Sequence, residues 1–266
     1  MIWSGLKWLG GRLGNLIRDG FMWLINLLRD LPERLGRLIV TLAEGLQGIV
    51  MVLPELILQI ARHGFSGSGR WLGEKLKAGA AWVRTVVLRV LDLVGFPEVG
   101  ELILHLFSSV RELTTDEIRA AQRVLGSGAV RWQDVRVGSG GVLDLIWKLN
   151  DGRAFTTWRT INTPPGIPTH TMVHELTHVY QYERAGTLYL VQALHAQVTR
   201  GDGAYEYGDL VAHRAAGKPF SAFNREEQAQ IAEDYYLDVL NHRNPLTPDQ
   251  IAAFDFYDSQ LQSGQL

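Results

Sequence analysis

The sequence predicts an α+β fold, mostly helical, with an apolar helical region over residues 1–110 and a second domain holding a small β-sheet over residues 111–266. Three observations predict it. Apolar residues step by three and four through the first 110 positions, which is the period of one helix face. From about residue 113 the pattern breaks into short β-branched and aromatic runs separated by glycine-rich turns. The last third returns to helical periodicity with clear start signals.

In the first region the apolar stripe runs through Leu24, Leu28, Leu31, Leu35, Leu38, Leu42, Ile49, Val52 and Leu56. Pro32 lies inside it and predicts a break with a new helix starting beside it. Residues 64–69 (GFSGSG) read as a turn or short linker. Further helices are expected over about 70–94 and 97–110. Five of the eight tryptophans fall here: Trp3, Trp8, Trp23, Trp71 and Trp82. Two readings stand side by side. The stripes pack on one another as a bundle, or they lie on a membrane surface, where Trp and Lys/Arg around a leucine face are what such helices need.

In the second region LTTDEIRAAQRVLG is a capped helix, with Thr114 or Thr115 as the cap and Asp116 and Glu117 favouring its first turn. Strands are expected near 130–137, 142–149 and 154–164, the last ended by Pro164 and Pro165. Helices follow over about 169–184 and 187–199, then a glycine-punctuated loop over 201–220, then helices over about 224–241 and 248–262.

Composition is that of a globular protein: 46% hydrophobic, 20% charged, net charge −2. That balance argues against a general nucleic-acid binder. Charge is unevenly spread, with 12 Lys/Arg against 6 Asp/Glu over residues 1–90 and 4 against 11 over residues 201–266. There is no cysteine, so any zinc must be held by histidine and carboxylate. The N-terminus lacks the features of a signal peptide, and no uncharged apolar stretch reaches about 18 residues. The expected location is therefore the producer's cytoplasm, with export or membrane association left open.

The chemistry concentrates in THTMVHELTHVYQYERAG, residues 169–186. His174-Glu175-Leu176-Thr177-His178 is HExxH. Four residues turn a helix through about 400°, so both histidines face one side and can share one ion, with Glu175 in reach of an attacking water as general base. A hydrolytic zinc needs a third protein ligand and an open position. FNREEQAQIAEDYY, residues 223–236, supplies the candidates. Asn224 caps that helix with Glu227 in a capping box, which leaves Glu226 free to face the metal. Glu233, seven residues on, is the alternative third ligand, and Asp234 is a candidate to orient a histidine from outside. His170 sits at the helix start and is expected at the rim. Tyr205 or Tyr207, in the AYEYG loop, or one of His195, His213 and His242, is a candidate transition-state stabiliser, with Tyr205 put first.

These residues resemble a known group. HELTHVYQ, preceded by a strand and a Pro/Gly turn and followed about 48 residues later by an E-x-x-A helix, resembles the gluzincin type of zinc metallopeptidase. LTTDEIRAAQRVLG, then VRWQDVRV, then HELTHVYQYE resembles the metallopeptidase domain associated with extracellular contractile injection systems. The resemblance covers about residues 112–240. It implies a minimal zincin-like fold and Zn2+ on His174, His178 and a downstream glutamate. It also implies Glu175 as base and a protein or peptide substrate. Position 230, where gluzincins often carry an acid, is Gln230. An alternative expectation is an injection-system-loaded or membrane-active effector in which this domain is a processing or structural module. Residues 1–110 would then contact a membrane surface or a particle component.

Overall fold

A computed structural model describes residues 2–140 and 152–266. The fold is α+β and 73% helical, with a four-stranded mixed sheet. The strand expected over 142–149 lies outside the described residues. By packing, the chain divides into two compact units, Trp23–Glu98 on one hand and Met1–Met22 with Val99–Leu266 on the other.

Helix α1 runs Ile2–Leu93 and keeps Pro32 and Pro54 inside it, so the break expected at Pro32 is absent. A proline removes one ladder hydrogen bond and kinks a helix, but the flanking turns carry the helix on through both positions. The helix does fold back. Trp82 Nε1 donates to the carbonyl of Thr41 at 2.8 Å, although 41 residues of straight helix would separate them by about 60 Å. Glu55 and Lys75 also form an ion pair. The reversal lies between residues 55 and 75, but the turn expected at GFSGSG is not formed there, since residues 64–69 are helical. Gly45 makes room for the approach, because a Cβ there would collide with the Trp82 indole. Within this stretch, Gly20–His63 is long and apolar enough, by length and composition, to cross a membrane.

Helix α2, Phe96–Phe107, ends before strand β1, Ser109–Glu112, a strand that periodicity does not reveal. Helix α3, Thr115–Leu125, carries the predicted capping box between Thr114 and Glu117. The strand expected over 130–137 is a short 3-10 turn followed by β2, Arg136–Ser139. The strand expected over 154–164 is a tight hairpin, β3 (Phe155–Thr157) and β4 (Thr160–Asn162). Its turn holds Trp158 at φ +52°, a conformation that non-glycine residues seldom adopt. The indole stabilises it by donating to Thr187 Oγ1 at 3.1 Å and packing where a side chain at Gly100 would clash. Sheet order is β1-β2-β4-β3. The β2/β4 pair is parallel and the other two pairs are antiparallel. That order leaves β3 at the edge.

The core gathers round helix α4, Thr169–Ala185. It starts after Pro168 and ends at Gly186, whose φ of +68° favours glycine. Residues 172–182 are buried on every face. This helix packs against α3, against β3 and against two later helices, α5 (Leu188–Arg200) and α7 (Arg225–Asp234). Between those two, the expected loop contains helix α6, Leu210–Ala215, capped by Asp209. The helix expected to reach 241 leaves α-geometry after α7 and continues as a π-turn, Tyr235–Leu240. Helix α8, Pro248–Gln262, closes the core: Tyr180 Oη donates to the Leu261 carbonyl at 2.6 Å.

Candidate metal centre

One turn of α4 separates His174 from His178, and their rings meet edge to face with centroids 5.0 Å apart. Helix α7 crosses beside them. It is held in place by its start: Asn224 Oδ1 accepts from the Glu226 and Glu227 amides, while Glu227 closes the capping box on the Asn224 amide. Glu227 also pairs with Arg200 at 2.8 Å, so its carboxylate is engaged. Glu226 faces α4 instead. Its Oε2 lies 3.3 Å from His178 Nε2 and 3.4 Å from His174 Nε2.

These three side chains fit a zinc ion. Tetrahedral ligands at about 2.0 Å from a common centre stand about 3.3 Å apart, which is the spacing of both histidine nitrogens from Glu226 Oε2. Glu226 Oε2 is buried with no hydrogen-bond partner, so a cation would satisfy an otherwise orphaned acceptor. All three residues are buried.

The other ring nitrogens are oriented from outside. Glu233 Oε2 lies 3.1 Å from His174 Nδ1, and Glu233 Oε1 lies 2.5 Å from His170 Nδ1. His178 Nδ1 lies 2.9 Å from Gln181 Oε1. Gln181 is fixed in turn, since its Nε2 donates to the Arg225 carbonyl and to Gln228 Oε1. Both Nε2 atoms are thereby turned toward Glu226. Glu233 meets the outer nitrogen of His174, on the side away from Glu226, and His170 stands behind it. Asp234 touches neither histidine. It accepts from Tyr207 Oη at 2.7 Å and Gln230 Nε2 at 3.0 Å.

Glu175 lies beside the pair, at the wall of a cavity of about 380 Å³ bounded by β3, α4, α5, Tyr205 and Glu226. Thr156 Oγ1 on edge strand β3 donates to Glu175 Oε2 at 2.7 Å. Tyr189 Oη anchors that strand by donating to the Thr156 carbonyl at 2.9 Å. Tyr205 also reaches the cavity. Gln197 Nε2 donates both to Tyr205 Oη at 3.2 Å and to Glu226 Oε1 at 3.1 Å.

Electrostatics separate the two glutamates. Burial pushes the Glu175 carboxyl up, and the neighbouring histidines only partly offset it. Burial acts on Glu226 too, but the His178 and His174 rings outweigh it and hold that carboxyl well below its usual range. On His174, burial favours the neutral ring. The neighbouring carboxylates of Glu226 and Glu233 outweigh burial and raise the ring to about 10 without metal. Burial raises Tyr205, so its phenol stays protonated.

The structure thus brings together His174, Glu175, His178, Glu226, Glu233 and Tyr205, and leaves His195, His213 and His242 out of this cluster. Sequence reasoning missed Thr156, Gln181 and Gln197. Gln181 was legible in principle, because i+3 from His178 shares its helix face. Thr156 and Gln197 arrive through tertiary packing and leave no local signal. Comparison with protein-family models, with curated proteins and with solved structures gives no match for this chain.

Proposed function

We propose that the chain is a zinc-dependent peptidase with zinc held by His174, His178 and Glu226. The carrying observation is the convergence of two buried Nε2 atoms on a buried, unpartnered carboxylate oxygen, with a second glutamate at the wall of the adjoining cavity. Zinc bound there supplies Lewis-acid polarisation of a scissile carbonyl and brings the pKa of a water toward neutrality.

The chain's own residues do the rest. Glu175 takes a proton from the attacking water on its carboxylate and delivers it to the leaving amine nitrogen. Its burial-raised pKa suits both halves of that task. Thr156 fixes the carboxylate in direction. Tyr205 accepts from Gln197, so its own hydrogen is free to donate to the oxyanion of the tetrahedral intermediate. The cavity leaves room for a peptide, which distinguishes this reading from a closed structural zinc site.

The test is metal analysis combined with Glu175→Gln. That variant is expected to keep one zinc per chain and lose about 10²–10⁴ of the cleavage rate on a peptide library. A native protein that binds no zinc, or a Glu175→Gln variant that cleaves normally, overturns the proposal.

A further inference from the structure

The unit Trp23–Glu98 is built inside out. Among its described side chains, those buried include Asn26, Asp30, Arg34, Thr41, Asp92 and Glu98, and no Leu, Ile, Val, Phe, Met or Trp. On the first arm Asn26, Asp30, Arg34 and Thr41 fall within about 80° of one helix face. Arg34, only 2% exposed, forms an ion pair with Glu98, itself 3% exposed, and donates to the Asp92 carbonyl. Thr41 accepts from Trp82 through its carbonyl. The polar groups of both arms meet one another.

The apolar residues face the other way. Leu28, Leu35, Ile39, Leu46, Ile49 and Val50 are exposed and fall within about 100° of arc on the first arm. Leu72, Leu76, Val83 and Val87 are exposed and fall within about 60° on the second. These are long stripes on both arms, far more continuous than the scattered apolar residues of an ordinary surface.

We propose that this hairpin embeds its apolar stripes in a lipid bilayer with anionic headgroups. Three observations select lipid over a protein partner. Charges that must leave water are already paired inside the hairpin, as charged groups at membrane depth require. Glu55, the lone charge between residues 45 and 61, pairs with Lys75. Between Glu55 and Glu74 the sequence carries Arg62, His63 and Arg70 and no acid, so the turn of the hairpin offers cations to lipid phosphates. The segment Gly20–His63 also has the length and composition of a membrane-crossing helix, and its most apolar stretch is almost wholly unburied.

This proposal is independent of the peptidase reading. Its test is flotation of the full chain, with and without a zinc chelator, on vesicles of phosphatidylcholine alone or containing phosphatidylserine. The chain is expected to float with the anionic vesicles in both metal states, and less on the neutral ones. A triple variant, Leu46→Gln, Ile49→Gln and Val50→Gln, alters side chains that are 60%, 59% and 70% exposed and leaves the buried polar seam intact. It is expected to lose about tenfold or more in vesicle partitioning. Flotation unchanged in the triple variant overturns the proposal. So does failure to float accompanied by a concentration-dependent dimer that the same substitutions dissolve, which would make a second copy the occupant.

Discussion

Glu233 offers the sharpest test of how the metal centre is built, because two roles for it predict different numbers. As placed, its Oε2 stands 3.1 Å from His174 Nδ1, while Glu226 takes the Nε2 side of the same ring at 3.4 Å. On the proposed reading Glu233 would therefore orient a ligand rather than be one. Removing such a partner typically costs 10- to 100-fold in metal affinity, or about 1.4–2.8 kcal/mol. Glu233→Gln keeps an oxygen that can accept from Nδ1–H and loses the charge, so it belongs near the tenfold end. Glu233→Ala leaves His174 without that acceptor and belongs near the hundredfold end. Glu226→Ala removes a direct ligand and costs more than either. Competition against a chromophoric zinc chelator at fixed pH reads these affinities without any need for activity, with circular dichroism to confirm folding. Zinc affinity unchanged in Glu233→Ala would refute the orienting role. A loss in Glu233→Ala as large as that in Glu226→Ala would show that the acid completing the shell had been misassigned.

Other predictions follow from the same geometry. Tyr205→Phe is expected to lower kcat by about 10- to 100-fold with little change in KM, since the lost hydrogen bond strengthens only as the oxyanion forms. Steady-state kinetics on one cleaved peptide separates the two parameters. Chelator treatment is expected to lower the thermal midpoint of the native chain and to do so far less in Glu226→Gln, because only the native site gains from zinc binding; differential scanning fluorimetry reads both. Asp258, on α8, is pushed up to about 7 by burial, and its Oδ1 has no partner. Its folded pKa exceeds the ordinary value near 3.9, so the folded state holds a proton that the unfolded chain has lost. Stability should thus fall as pH rises from about 4 to 7, and Asp258→Asn should stabilise the protein by about 2 kcal/mol more at pH 8 than at pH 5. Equal gains in urea unfolding at both pH values would sink that assignment.

The parts of this molecule that were legible in the sequence are those set by local chemistry. Thr114 with Glu117, and Asn224 with Glu227, are capping boxes whose members lie three residues apart, so sequence spacing already contains the contact. The same logic carried HExxH, since i and i+4 share a helix face wherever the helix goes. Illegible features depend on what meets what. A strand as short as β1 has too few residues for alternation to register. A turn at Trp158 with positive φ carries no glycine or asparagine to announce it, and is held by contacts with Thr187 and Gly100 that lie far away in sequence. The apolar stripe of α1 was visible as a stripe, but periodicity reports which residues share a face and is silent on whether that face turns inward.

The placement of the carboxylates gives the site its division of labour. Glu226 and Glu175 are both buried beside the histidine pair, and a common environment would titrate them alike. Glu226 is kept ionised because both imidazoles address it, which suits a ligand that must stay anionic to hold a dication. Glu175 sits one position along α4 from His174 and so projects about 100° away from the shared face. There it meets a threonine hydroxyl and the cavity, and burial raises its affinity for a proton. A base that must accept a proton from water gains from a pKa raised in that direction. Exchanging the environments would disable both groups: a Glu226 of raised pKa would compete with the metal for its own proton, and a Glu175 of lowered pKa would not take one from water. The rotation between adjacent helix positions is what keeps the two environments apart. On the proposed reading, HExxH would therefore bring two metal ligands and a base to one centre from a single helix, while the third acid would come from another.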